Sequence, residues 1–244
     1  MELTLFVYRD EGVGTFSYKA LMRSLKKVTL PSHIKIKTLD AKEIIEGRWR
    51  EECQLLIFPG GRDMPYHERL QGKGAQEIRT FVEQGGRYLG ICAGAYFGSK
   101  EVVFERGTPN ELSGERELCF FPGKAEGTLE HLGPYSYEGH ESAYAHPITY
   151  KDKTIQVYYN GGCFFHKAEE YPSVEVLSYY EVGKEKIPAI IECSVGEGKA
   201  ILSGVHIEVE AELCKSEEHL YPQLLETEKE RNRFFEELLS KLLS

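Results

Sequence analysis

Apolar residues fall into two textures along this chain. Up to about residue 92, the runs LTLFVY (3–8), QLLIFPGG (54–61) and RYLGIC (87–92) are apolar nearly throughout, as strands covered on both faces are, whereas IKIKTL (34–39) alternates like a half-covered strand. Between them, Tyr18, Leu21, Met22, Leu25 and Val28 recur at helical spacing. GAQEIRTFVEQGG sets Ile78, Phe81 and Val82 on one face and ends in Gly85 and Gly86. This β-α-β-α rhythm predicts a mostly parallel sheet with helices on both faces, in which ligands bind beyond the carboxyl ends of the strands. Both FPGG and GICAG fall at such ends.

From about residue 117 the pattern changes to many short β-rich runs, LCFF, ITYK, IQVYY, VEVLSYY, AIIECSV and KAILSGV, separated by the turn signals YNGG, EVGKEK and VGEGK. They predict a mixed or antiparallel extension of the parallel core. Residues 122–147, rich in Gly, Pro, Tyr and His, show no clear period and read as a long ordered loop over the site. The last helix, TEKERNRFFEELLSKLL, opens with Thr227 and Glu230 in capping-box spacing. Its residues Phe234, Phe235, Leu238, Leu239, Leu242 and Leu243 form one apolar stripe to pack against the rest. No repeat or linker interrupts the chain, so the expectation is a single domain over residues 1–244.

Composition narrows the function classes. At 244 residues and 41% apolar, the chain can bury the core of one large α/β unit. A net charge of −9 argues against nucleic acid as a partner, because holding a phosphate backbone needs clustered Lys and Arg. No apolar run approaches the roughly 20 residues of a membrane span, and the start MELTLFVYRDEG lacks a signal-peptide pattern, so the expected location is the cytoplasm. Six cysteines without a CxxC pair predict reduced thiols rather than a zinc knuckle or disulfide framework. Tyr135, Tyr137, His140, Tyr144 and His146 repeat no metal-ligand spacing and read as polar loop packing. GVGTFS lacks the third glycine of a dinucleotide loop and reads as a plain turn. Neither a metal nor a cofactor is therefore expected.

The chemistry centres on YLGICAGAYFGS (88–99), where Cys92 follows a buried strand and is flanked by Gly90, Ala93 and Gly94. A nucleophile on a strand-to-helix turn needs such small neighbours, because the backbone is cramped and the side chain must project. A helix starting at Ala93 would aim its amides at the sulfur, a setting in which thiols react at neutral pH, and the Ala93 amide would serve as an oxyanion donor. Gly61 can offer a second donor from the neighbouring strand end. The plainer alternative is a small buried residue where strand meets helix. A nucleophilic cysteine also needs a base and an orienting group. His206 follows the strand AILSGV at its carboxyl end, and Glu208, two residues on, would point the same way in an extended segment. Arg62 and Asp63 would clamp a carboxylate or pair with each other. Asn160, Gly161 and Gly162 form a hairpin-type turn whose tip would contact ligand or simply turn the chain.

Taken together, G-x-C-x-G followed by a late H-x-E resembles the class I glutamine amidotransferases, which carry a Cys-His-Glu triad on a flavodoxin-like sheet. More closely, FPGGRDMPY, GGRYLGICAGAYFGS, FERGT, ELCFFPGKAEG, YYNGG and SGVHIE resemble the amidotransferase-like N-terminal domain of eukaryotic-type biotin-protein ligases. The resemblance implies Cys92 as nucleophile, His206 as base, Glu208 as its orienter, and Gly60, Gly61 and Ala93 around the oxyanion, acting through a thioester on a small amide or acyl substrate. Two positions depart from the amidotransferase pattern. Tyr96 stands where Gln commonly contacts the substrate, and Ile207 stands within H-x-E where Pro is usual, which puts glutamine itself in doubt as substrate. Biotin ligation by these residues alone is not expected, since no G-R-G-R adenylate loop is present. Alternatives remain a catalytically silent binding or regulatory module for a biotin-protein ligase or another partner, and a DJ-1/PfpI-like cysteine protein using Glu11.

Overall fold

The structure is a computed structural model and describes residues 3–28, 34–129, 132, 135–136 and 139–244. Its first half alternates β1 (Leu3–Tyr8), α1 (Thr15–Lys27), β2 (Ile34–Leu39), α2 (Ala41–Glu46), β3 (Cys53–Phe58), α3 (Asp63–Leu70), α4 (Lys73–Glu83), β4 (Arg87–Ile91) and α5 (Ala93–Gly98). Then follow β5 (Ser99–Phe104), β6 (Leu112–Glu115), β7 (Phe121–Gly127), β8 (Tyr144–Tyr150), β9 (Lys153–Tyr159), β10 (Phe164–Phe165), β11 (Val174–Val182), β12 (Glu185–Val195), β13 (Gly198–Ser203), α6 (Tyr221–Glu226) and α7 (Glu228–Leu243). The main sheet runs β2-β1-β3-β4-β13-β12-β11-β8-β9. Its first five strands are mutually parallel, and the rest pair antiparallel. A second sheet, β10-β7-β5-β6, lies beside it. The architecture is therefore flavodoxin-like α/β with an antiparallel β extension.

Strand alternation explains the layering. In β1, Leu5 and Val7 join a core with Leu21 and Leu25 of α1 and with Phe234, Phe235, Leu238, Leu239 and Leu242 of α7. Phe6 and Tyr8 face the other way, into a core shared with α2, α4 and α5. The same split recurs in β3, with Leu55 and Ile57 on one side and Leu56 and Phe58 on the other. Apolar runs without alternation thus mark strands buried on both faces.

Several local expectations are corrected. LCFF is not a strand: Cys119 takes φ +50° and breaks the extended run, while Leu118 and Phe120 are buried from a loop. The period-free segment 122–147 has strands at both ends, because FPGKAEG alternates Phe121, Gly123, Ala125 and Gly127 inward, residues mostly too small to register as an apolar face. The Asn160–Gly162 turn is not a hairpin. It carries the chain from β9 in the main sheet to β10 in the second one, and Gly162 passes so close to Gly204 that a Cβ there would lie 1.8 Å from its carbonyl oxygen. Thr227 precedes α7 without capping it, because its Oγ1 accepts from the Gln156 amide of β9 at 2.8 Å. Among the described residues no helix is long and apolar enough to cross a membrane.

Candidate active site

Cys92 stands between β4 and α5 with φ +51° and ψ −104°, a conformation that L-residues rarely adopt and that persists only where surroundings enforce it. The enforcement is visible. The Cys92 amide donates to Ser203 of β13 at 2.8 Å, and the Cys92 carbonyl accepts from the Ala95 and Tyr96 amides. The small flanking residues are a steric requirement, since a Cβ on Gly90 would lie 2.3 Å from the Gly94 carbonyl oxygen and one on Gly94 2.3 Å from that of Phe58. The Cys92 sulfur approaches the Asn160 carbonyl at 3.9 Å, and the residue is 5% exposed.

His206 lies three residues beyond β13, its amide bound to the Tyr158 carbonyl at 3.0 Å. Its Nδ1 meets Glu208 Oε1 at 2.8 Å, and both side chains are almost wholly buried. The pair meets through a turn at Ile207 and Glu208 rather than through the extended segment expected from the sequence. The Cys92 side chain lies within electrostatic reach of the imidazole. Burial alone would push the His206 pKa down, but the Glu208 carboxylate and the Cys92 sulfur beside it raise it to about 10. Helix α1 supports both groups. Ser17 Oγ lies 3.4 Å from His206 Nδ1, and Ser24 Oγ donates to the Glu208 carbonyl at 2.6 Å.

Gly60 and Gly61 follow β3, the strand next to β4. The Gly14 amide donates to the Gly60 carbonyl and the Arg62 amide to the Gly12 carbonyl, clamping this loop against residues 12–14. Gly61 adopts φ +149°, and a Cβ there would lie 2.0 Å from the Gly12 carbonyl oxygen. Among the described residues, the Gly61 and Ala93 amides donate to no other backbone group. Gly60 packs edge-on to the imidazole, leaving room for a hydrogen but not a methyl.

Cys92 and Ala93 open into a cleft of about 700 Å³ that Gly61, Arg62, Asp63, Tyr96 and Gly161 also line. Arg62 and Asp63 do not pair with each other. Asp63 binds the buried Arg116 guanidinium at 2.7 Å, and the Asp63 pKa is nonetheless raised, burial outweighing that attraction. Arg62 is exposed and forms no ion pair with any described residue. Tyr96 is fixed in the wall, its hydroxyl donating to the Gly161 carbonyl at 3.2 Å. The Asn160 side chain turns away, its Oδ1 accepting from Ser142, and neither it nor Gly162 lines the cleft. Glu11 is exposed and does not line it either.

The sequence reading missed Ser17, Ser24 and Arg116. For the serines a signal existed: seven residues apart, they share a face of α1 with the apolar Leu21 and Leu25, where a polar side chain needs a buried partner. Arg116 had none, because only the second sheet brings it to α3. His140 bonds the Tyr158 hydroxyl at 2.8 Å, and His146 packs against Tyr159 and Tyr180. Tyr137 lies outside the described residues. No cluster of three or more potential metal ligands occurs among the described residues.

A family model described as biotin-protein ligase, N terminal, matches residues 3–243. Over 98% of its length the chain is 34% identical to an uncharacterized protein of Chlamydia muridarum (strain MoPn / Nigg), covering 95% of that protein. It is 33% identical over 86% of its length to the biotin–protein ligase of Schizosaccharomyces pombe, of which it spans only 34%. Among solved structures, a putative ThuA-like protein from Bacteroides uniformis aligns with a TM-score of 0.51 at 11% identity, over 84% of this chain and 82% of that one. That likeness concerns the fold alone.

Proposed function

The chain belongs to the biotin-protein ligase N-terminal family, and from that premise we propose a cysteine-dependent acyl-transfer enzyme acting on a small amide or related acyl compound. Cys92 Sγ attacks the carbonyl carbon, and the carbonyl oxygen takes up negative charge facing the Gly61 and Ala93 amides, with Gly60 forming the loop beside them. As the tetrahedral intermediate collapses, the carbon–nitrogen bond breaks and His206 delivers the proton it took from the Cys92 thiol to the departing amine, leaving a thioester on Cys92. His206 then takes a proton from the water that attacks this thioester. The acid is released as that proton passes from His206 to the sulfur, restoring the thiol. Glu208 holds the imidazole by Nδ1, so that its other nitrogen serves the sulfur and leaving group.

The observation that carries this reading is a buried imidazole bound by the Glu208 carboxylate and within electrostatic reach of Cys92, whose side chain lines the cleft. Its test is the alkylation rate of each cysteine with iodoacetamide, followed by peptide mass spectrometry. Cys92 is expected to react far faster than half-exposed Cys119, and His206→Ala to remove that advantage. Equal rates at the two cysteines would count decisively against it.

A second reading is a catalytically silent module that acts on a biotin-protein ligase. It is favoured by the S. pombe match, in which the aligned region forms 34% of a longer ligase, and by Tyr96 filling part of the cleft wall. Co-sedimentation with a purified ligase that is unchanged by Cys92→Ala would support it.

A further inference from the structure

The cleft is chemically lopsided. Most of its larger lining side chains are apolar or aromatic, namely Met64, Pro65, Phe104, Leu112, Tyr135 and Tyr96. Three charged side chains remain. Asp63 is already matched by Arg116, whose guanidinium is also held by the Glu115 carbonyl and by Met64. Glu68 and Arg62 are exposed, and no ion pair joins them to each other or to another described residue.

Arg62 immediately follows Gly61, the proposed oxyanion donor, and precedes α3 as its N-cap residue. Its main chain is fixed, since its amide is bound to the Gly12 carbonyl at 2.8 Å. A guanidinium offers a planar fork of donors that suits a carboxylate and is less heavily hydrated than an ammonium. A cation that lines a reactive cleft without a partner is a recognition element awaiting an anion. Glu68, six residues further on within α3, repels an anion at its own end and so confines the negative group to the Arg62 end.

Resting on the proposed Cys92 chemistry, we infer that the substrate carries a carboxylate held by Arg62 and an apolar or aromatic body lying against the Phe104, Tyr135 and Met64 wall. An aromatic body would bury apolar surface against this lining that a small polar side-chain amide such as that of glutamine would not.

The test compares two alkylating agents, iodoacetanilide and its para-carboxylate, 4-(iodoacetamido)benzoate. Their second-order rate constants at Cys92 are each divided by the rate with glutathione. The carboxylate is expected to react on the order of fivefold faster, a modest factor because Arg62 is exposed and screened. Arg62→Gln should bring the ratio to about one, Arg62→Lys should keep part of the preference, and Glu68→Gln should enlarge it. If both agents label Cys92 rapidly and equally, the substrate class is overturned while the nucleophile stands. If neither labels Cys92 faster than Cys119, the nucleophile fails and the substrate class with it.

Discussion

Gly60 is the position where one added methyl should disable the site while deleting none of the reacting groups. A Cβ there would lie 2.4 Å from His206 Cε1, 3.2 Å from His206 Nε2 and 2.5 Å from Ser17 Oγ. Carbon atoms in contact sit about 3.5–4.0 Å apart, so the imidazole edge has to retreat by roughly 1 Å. It cannot do so freely, because Glu208 holds Nδ1 and the His206 amide is bound to Tyr158. A displacement of that size in a reacting group costs on the order of a hundredfold in rate, and the overpacking costs about 1–3 kcal/mol of stability. Gly60→Ala is therefore expected to fold, to unfold at lower urea, and to show Cys92 alkylation slowed on the order of a hundredfold relative to Cys119. Adding Ser17→Gly removes one of the two clashes and should recover stability but not reactivity. Gly72→Ala is the control. It meets no atom within 4 Å at φ +72°, so it carries backbone strain alone and should leave alkylation unchanged. A folded Gly60→Ala protein with wild-type Cys92 reactivity would refute the idea that the imidazole activates this sulfur.

Glu208→Gln should lower the His206 pKa from about 10, because the burial that opposes its charge remains while the largest attraction is lost. A histidine raised above its ordinary 6.5 contributes stability that is full below pH 6.5 and is lost as the pH climbs through about 10. Urea midpoints should accordingly fall between pH 6.5 and 10 in the wild type and fall less in the variant. Asp63→Asn strands the buried Arg116 guanidinium and should cost about 3–5 kcal/mol by urea denaturation. Asp63→Leu combined with Arg116→Met should return most of that loss. Tyr96→Phe removes the hydroxyl donor from the buried Gly161 carbonyl and should cost about 1–3 kcal/mol, read by thermal melting.

Legibility in the sequence followed how local each determinant is. The parallel half declared itself because strands such as LLIF (55–58) are buried on both faces and exclude polar residues. The Cys92 turn was equally plain, since Gly90 and Gly94 answer contacts within a few residues and the adjoining strand. By contrast, β7 was hidden because its inward positions are mostly Gly and Ala, chosen for the close approach of Tyr96, whose hydroxyl would lie 1.9 Å from a Cβ on Gly127. The Asn160–Gly162 turn was misjudged because nothing local distinguishes a hairpin from a passage between sheets. What fixes it is contact with Gly204, remote in sequence. The Arg116–Asp63 pair was illegible for the same reason: each partner reads as an ordinary surface charge until β6 and its following loop are laid against α3.

The convergence of the three polar groups has a topological cause that neither motif contains. Strands β4 and β13 are adjacent and parallel, with Ile91 in register with Ser203, so both chains leave the sheet at the same level and on the same rim. Cys92 is then one residue past the edge and His206 three, a difference that the turn after β13 absorbs. Ser203 closes the arrangement from both sides, since its carbonyl accepts from the Cys92 amide and its hydroxyl donates to the Val205 carbonyl at 2.6 Å. The same residue therefore ties down the strained turn under the thiol and shapes the turn that presents the imidazole. A one-residue slip between β4 and β13 would move these ends about 3.3 Å apart, enough to separate sulfur from nitrogen. The register of two buried strands, set by the alternation of Leu89 and Ile91 with Tyr88, and of Ile201 with Ala200 and Leu202, thus determines whether Cys92 and His206 meet at one rim.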